Sequence, residues 1–329
     1  MKVYISYNLK NTSSGGGRNF LNLLRDYLLE SSNYSYFAKK SDVILINSHH
    51  NLYKNIFLKF IYPKKIFVHR LDGKLSLHRS NPDWDNLIIV QNRYVADYNI
   101  FQSNWSREIW SKQLDKKKSR TILNSPNRKI FKEKQEFGLN NPVRVVFSAW
   151  SSNPNKGYNF AKWAISKANK FNIEVRILGY SKNEKLNSVA MRRIDQIELN
   201  MELNSSDIFL SPTINEACSN SILEAFAVGL PVLANNSGGN PELISGGKGE
   251  VFNSKQDFED KLSKIVSNYG RYVKEIRDFN QHENNLQIYK EYFMSIYKDN
   301  SRKNVYLIRL GLIKAFTEAT ITFLRLQFK

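Results

Sequence analysis

The chain has 329 residues, of which 41% are apolar, with a single Cys and a formal net charge of +19. That length suffices for two domains of ordinary size, each with its own core. Lone Cys218 excludes an intramolecular disulfide and fits a reducing compartment. The sequence also lacks an uncharged apolar run of about 18 residues that could span a bilayer.

The placement of the charge says more than its total. Residues 1–140 hold 24 Lys/Arg against 11 Asp/Glu, residues 141–300 hold 19 against 18, and the last 29 residues hold six against one. The first half and the tail are basic while the middle is balanced, so an anionic surface or substrate is expected at the first half. No nucleic-acid reading motif accompanies the charge, and a balanced middle argues against a general basic coat, so nucleic acid is not expected as a partner. The first residues, MKVYISYNLKNTSS, hold no apolar core followed by a cleavage site, and a cytoplasmic protein is expected.

In chain order, short β-branched runs alternate with helical patterns, which predicts parallel α/β architecture. Strands are predicted over 2–6, 42–47, 65–70, 87–91 and 120–124, then, after the polar segment 133–142, over 143–150, 173–179, 207–211 and 231–235. Helices are predicted over 156–169, 218–229 and 255–267. Gly, Asn and Pro in 133–142 put a domain boundary there. The expected organisation is an N-terminal domain over 1–135, a second over 141–285, a helix over 286–300 returning to the first domain, and a basic tail over 301–329. Two doubly wound domains facing a cleft are the natural arrangement. In the tail, Ile308, Leu312, Phe316, Ala319, Phe323 and Leu326 share one side and Lys314, Thr317, Glu318 and Arg325 another. This reads as a basic amphipathic helix lying on an anionic membrane surface, the bland alternative being a helix packed on the first domain.

The stretch NEACSNSILEAF (215–226) sets Glu216 and Glu224 eight positions apart, about 80° on one helix, too far to converge. Asn220 and Ser221 are good N-cap residues, so the helix is expected to start there, with Glu216 in the preceding loop and Glu224 in the first turn. Backbone N–H groups at such a helix start can bind an anion such as a diphosphate. Taken alone, Ser221 to Glu224 reads as a capping box that needs no ligand.

The longer string SDIFLSPTINEACSNSILEAFAVGLPVLANNSGGNPELI (206–244) resembles the signature region of glycosyltransferase family 4, group 1 retaining enzymes of GT-B fold. The strand ending in Ser-Pro, the E-x7-E pair, Glu-Ala before a helix, Gly-Leu-Pro-Val and Gly-Gly-Asn-Pro-Glu carry the likeness in order. It implies the GT-B fold, α/β with two Rossmann-like domains, and transfer of a sugar from a nucleotide sugar to a saccharide or lipid-linked saccharide acceptor. A role in bacterial cell-surface polysaccharide synthesis, at the inner face of the membrane, follows from the same likeness. Glu216 would then face the donor sugar, Glu224 would hold the ribose hydroxyls, and Cys218, Ser219 and Asn220 would offer backbone donors. FSAWSSNPNKGYNFAKWAI (147–165) resembles the strand–loop–Lys-Gly–helix element, which puts Lys156 near the leaving diphosphate. The family's arginine is absent from that loop, where Trp150, Ser151 and Ser152 stand, and this motivates the alternative of a GT-B domain that binds a donor without transferring it.

Ser13 to Gly17 occupy the position of the family's glycine-rich first loop, which implies donor contact for Gly16 and Gly17. They do not form the dinucleotide fingerprint G-x-G-x-x-G. IFVHRLDGK (66–74) resembles the strand end that carries a His beside the reacting sugar, so His69 is expected there. DVILINSHHN (42–51) is similar to a second His-bearing strand end, although His49 and His50 read equally well as surface histidines. The segments 96–106 and 121–131 resemble further family elements. Asp83-Trp84-Asp85 spells a metal-binding D-x-D, but its place before the predicted strand 87–91 makes it a turn. With no His/Cys cluster at metal spacing, neither a metal nor another cofactor is expected.

Overall fold

The structure, a computed structural model, describes residues 1–9, 16–78, 81–149, 153–179, 194–299 and 304–327. The chain divides into two compact units: Met1–Asn11, Leu21–Leu123 and Asn285–Lys329 form the first, and Thr12–Phe20 with Asn124–Asn284 form the second.

The first unit alternates β1 (Val3–Ser6), α1 (Gly16–Glu30, of which it holds the part from Leu21), β2 (Val43–Asn47), α2 (Leu52–Ile61), β3 (Ile66–Leu71), α3 (Asp83–Tyr94), β4 (Tyr98–Phe101), α4 (Asn104–Trp110) and β5 (Ser119–Thr121). Its strands lie side by side in the order β1-β2-β3-β4-β5, all parallel. On the other edge of β1, Tyr34 makes an isolated parallel bridge to Val3, so the chain reverses direction across the sheet at β1. Every residue of β2 and β3 is buried, as expected of central parallel strands covered on both faces.

The second unit runs through β6 (Val143–Ala149), α5 (Tyr158–Ser166), α6 (Ala168–Phe171), β7 (Ile173–Gly179), α7 (Gln196–Asn204), β8 (Ile208–Ser211), α8 (Asn220–Ala227), β9 (Val232–Asn235), α9 (Asn240–Ile244), β10 (Gly249–Phe252), α10 (Lys255–Ser267) and α11 (Tyr269–His282). Its sheet order is β10-β9-β8-β6-β7. β6 pairs with β7 on one side and β8 on the other, so the winding reverses between β6 and β8, the place where open α/β sheets bind ligands. The core packs Val145, Phe147, Ile177, Leu210 and Leu233 against Phe258, Leu262 and Tyr272.

From Asn285 the chain returns to the first unit as α12 (Asn285–Lys298) and α13 (Val305–Gln327). Tyr289 on α12 is fully buried, and its hydroxyl receives the Arg70 Nε–H at 3.3 Å. On α13, Leu312, Ala315 and Ala319 join the core formed by Ile44, Ile56, Leu87 and Val90, with Ile308 and Leu326 packed at its edge. Phe316 and Phe323, predicted for the same side, are instead 55% and 43% exposed. A helix turning by 100° per residue carries them off the narrow buried stripe. No helix among the described residues is long and apolar enough to cross a membrane.

Two sequence expectations change. The predicted strand 87–91 is the middle of α3; Leu87, Ile88, Val90 and Gln91 are all buried there, and so short an apolar run does not reveal its period. Asp83 and Asp85 are therefore first-turn helix residues rather than a strand entry, and Asp85 accepts hydrogen bonds from the Leu75 and Ser76 backbone N–H groups. The strands β4 and β10 were not among those predicted. Each has four residues, and YNIF and GEVF interleave Asn or Glu with their apolar members.

Candidate active site

Three loops leave the carboxyl ends of β6, β8 and β9 and are tied to one another by backbone. The Ile214 N–H donates to the Asn155 carbonyl (2.9 Å), the Gly239 N–H to the Glu216 carbonyl (2.8 Å), and the Asn215 N–H to Ser237 Oγ (3.0 Å). Two glycines make this packing possible. Gly157 has φ +82°, and a Cβ there would sit 2.5 Å from the Pro212 carbonyl oxygen; Gly238 has φ +64°, and its Cβ would sit 2.4 Å from the Glu216 carbonyl oxygen. Both positions need positive φ and close backbone approach together, which only glycine supplies.

The loops bring Lys156 and Glu216 into a two-pronged ion pair, Nζ lying 3.0 Å from each carboxylate oxygen. Both side chains remain about a quarter exposed, so the pair faces solvent at the sheet's reversal point instead of being sealed in the core. An ammonium on one loop and a carboxylate on the next give a compact pair of opposite charges, either of which can exchange its partner for a ligand group.

Glu224 stands beyond them on α8. The N-cap of α8 is Ser219, whose hydroxyl meets Ser221 Oγ at 3.0 Å and caps no backbone N–H. The helix runs from Asn220, so Glu224 lies in its second turn and not its first, and the capping box that Ser221 to Glu224 suggests when read alone is not formed. No hydrogen bond or ion pair engages the Glu224 carboxyl among the described residues. Burial pushes its pKa up to about 8, because nothing nearby offsets the loss of water around the charge.

The segment before α8 is fixed from two sides. Cys218 is buried, and its Sγ accepts the Asn124 N–H at 3.5 Å, a packing role for the thiol. The Asn220 side chain accepts from Asn124 Nδ2 (2.7 Å) and donates to the Gly16 carbonyl (2.6 Å). A Cβ on Gly16 would press to 2.6 Å from that amide, whereas one on Gly17 would meet nothing within 4 Å. Ser13 to Gly15 and Trp150 to Ser152 lie outside the described residues.

His69 differs from the expectation of a residue beside a sugar. It sits within β3 with no exposed surface, Nε2 2.8 Å from the Ser48 carbonyl oxygen and Nδ1 3.3 Å from Asn92 Nδ2. Burial lowers its pKa to about 3 and keeps the imidazole neutral. Arg70 is equally buried, donating to Asn47 Oδ1 at 2.6 Å. The half-buried histidines of this unit's strand ends are His49 and His50, with ring centroids 4.2 Å apart. Among the described residues no group of three or more His, Cys, Asp or Glu is gathered that could hold a metal ion.

Of the residues the sequence singled out, the second unit therefore unites Lys156, Glu216, Cys218, Ser219, Asn220 and Glu224, while His69 is sealed in the first. The sequence reading passed over Gly157, Gly238 and Asn240 as site-builders. Asn240 is fully buried and donates to the carbonyls of Thr213 (3.1 Å) and Asn235 (3.3 Å), stitching two of the three loops. The Lys-Gly and Gly-Gly-Asn strings were the available signals, since a glycine beside a functional residue often marks close backbone approach.

Residues 142–268 match the family described as Glycosyl transferases group 1. Protein CapJ of Staphylococcus aureus is 26% identical over 193 residues, covering 51% of this chain and 48% of that protein, so the match spans about half of either. Among solved structures, a sucrose-phosphate synthase from Thermosynechococcus elongatus superposes with a TM-score of 0.64 at 12% identity, covering 90% of this chain and 99% of that one. Anabaena HepE in complex with UDP gives 0.58 at 16% identity, covering 96% and 100%. The chain has the GT-B fold, and the segment that matches the group 1 glycosyl transferases is the one that holds Lys156, Glu216 and Glu224.

Proposed function

We propose that the protein is a retaining glycosyltransferase that moves a sugar from a nucleotide sugar to a hydroxyl of a saccharide or lipid-linked saccharide. The observation that carries this reading is the Lys156–Glu216 pair at the reversal point of the second sheet, with the carboxyl of Glu224, which has no partner among the described residues, on the adjoining helix. Glu224 has open acceptor capacity for the ribose hydroxyls of a nucleotide. The N–H groups at the start of α8, which Ser219 leaves without a side-chain cap, and the Lys156 ammonium suit a diphosphate. Glu216 orients the donor sugar. Charge that grows on the departing diphosphate is stabilised electrostatically by Lys156 and backbone dipoles, with no metal required. On the acceptor side, the bond from the anomeric carbon to phosphate breaks as the acceptor oxygen bonds on the same face. The acceptor proton passes to the leaving phosphate oxygen.

HepE has been crystallised with UDP and with UDP-glucose, which supports a nucleoside-diphosphate sugar here. The likeness to CapJ supports a role in bacterial surface polysaccharide synthesis. The basic first unit and tail support a cytoplasmic protein held at the inner face of the cell membrane.

The test is a thermal-shift panel of UDP-, GDP-, ADP- and CMP-linked sugars on the wild type and on Glu224→Ala, followed by transfer or slow hydrolysis of the hit. A donor at about 100 times its dissociation constant stabilises by roughly 2.7 kcal/mol, a readable shift. A shift with one nucleotide, lost in Glu224→Ala, supports the reading. Absence of any shift overturns it, and a shift with neither transfer nor hydrolysis reduces the protein to a donor-binding one.

A further inference from the structure

The helices α2 and α13 turn large apolar side chains outward from the first unit. Phe57 is 62% exposed, Ile313 63% and Leu324 48%, and more than half of the exposed large apolar side chains among the described residues lie on these two helices. The two sets are contiguous: the Tyr53 ring on α2 contacts Phe316 and Phe323 on α13, at centroid distances of 5.5 and 6.1 Å. Soluble proteins rarely leave so large an apolar patch uncovered without a use for it.

The charges at the patch are basic apart from Glu318. Residues 43–71 contain no Asp or Glu and include Lys54 and Lys64. The Arg309 guanidinium lies 5.1 Å over the Phe60 ring, and the lone acid of the tail, Glu318, is held by the Tyr94 hydroxyl at 2.6 Å on the α3 side. On that side a groove of about 430 Å³ between α3 and α13 is lined by Arg93, Arg325 and Glu318, with Ile89, Val90 and Ile321 beside them. Aromatic and aliphatic side chains bordered by Lys and Arg match the boundary between headgroups and acyl chains of an anionic bilayer. A second copy of this chain would instead set one basic rim against another, which is repulsive.

We infer that the outward face of α2 and α13 docks the protein onto an anionic lipid surface. Docking uses the side of α13 opposite Leu312, Ala315 and Ala319, so the helix is at once part of the first unit's core and a membrane contact. The inference gives a surface to the membrane partner in the proposed function, and it rests on that part of the reading alone.

Flotation of the full chain with vesicles of phosphatidylcholine containing phosphatidylglycerol, against phosphatidylcholine alone, tests it. Two variants accompany the wild type: Phe57→Ser/Ile313→Ser/Leu324→Ser on the apolar face, and Arg309→Gln/Lys314→Gln/Arg325→Gln on its rim. The wild type is expected to float with the anionic vesicles only. Losing three rim charges weakens partitioning by about a hundredfold, and the apolar variant is also lost from the floating fraction. A wild type that stays at the bottom, or both variants floating as it does, overturns the inference. So does a wild-type dimer in solution that the apolar variant dissolves, which would make the face a contact between copies. Far-ultraviolet circular dichroism and a melting curve of every sample report folding of the first unit, and a nucleotide-sugar thermal shift separates this question from the donor reading. A wild type that shifts with donor but does not float overturns only the docking face.

Discussion

The two units share a topology and put it to opposite use. In both, a parallel sheet reverses its winding beside its first strand, and polar side chains collect toward the carboxyl ends. In the second unit those groups are left part-exposed, as Lys156 and Glu216 are, or without a partner among the described residues, as Glu224 is. In the first, His69, Arg70, Asn47 and Gln91 are buried, and His69 and Arg70 are bonded to neighbouring strand ends. The exposure of the first unit lies elsewhere, on the apolar outer side of α2 and α13. A strand end thus becomes a candidate site through the loops packed around it, and Gly157 and Gly238 are what allow that packing in the second unit. Winding alone does not decide which polar residues meet a ligand.

The contrast can be broken from either side. Ending the chain before α13 removes Leu312, Ala315 and Ala319 from the first unit's core, and a buried leucine alone contributes about 1.5–3 kcal/mol. The expected result is a fall in the first unit's stability by roughly 5 kcal/mol, seen as an early separate transition in calorimetry, with donor binding by the second unit retained. His69→Ala should act in the same direction more weakly, costing about 2–4 kcal/mol by opening a cavity and orphaning its neighbours. Donor affinity measured by calorimetric titration should not move, and a selective loss of it would return His69 to the site.

On the other side, Gly238→Ala forces a Cβ against the Glu216 backbone and should cost about 1–3 kcal/mol of stability through strain at positive φ. It should also weaken donor binding, because Glu216 moves with its loop. The most diagnostic test is a slope with pH and not the cost of a substitution. Glu224 titrates near 8 when folded and near 4.5 when unfolded, so between those values the folded state holds the extra proton. Its contribution to stability is complete at acid pH and is lost as pH rises toward 8. Glu224→Gln should flatten that slope in melting curves taken across pH 5 to 8. His69 has the opposite sign: with its pKa depressed to about 3, it penalises folding as pH falls below about 6.5.

Much of this contrast was legible in the sequence, and the gaps have physical reasons. Strands such as 173–179 and the helix 255–267 were placed to the residue, because apolar residues alternating with Glu174 and Arg176, and a Ser-x-x-Asp start, leave few alternatives. The run 87–91 misled because four apolar residues in succession fit a buried strand and a buried helix face equally. The loop residues Lys156 and Glu216 were named from the string that resembles a family, and nothing in their spacing, 60 positions apart, announced that they pair. His69 shows the converse limit. Adjacent residues in a strand alternate between faces, but in a central strand both faces are covered, so a histidine there gives no sign of whether it reaches solvent.

The return of the chain to its starting unit has a consequence for biosynthesis. The first unit's sheet emerges from the ribosome first, yet α12 and α13, which complete its core, are made only after the whole second unit. Until then Ile56, Leu87 and Val90 lack the leucine and alanines that cover them. The core cluster of the second unit lies wholly within residues 143–273, and it can close while synthesis continues. Nascent chains of this protein therefore pass through a stage with a finished later unit and an open earlier one, and that open face is where a chaperone would find them.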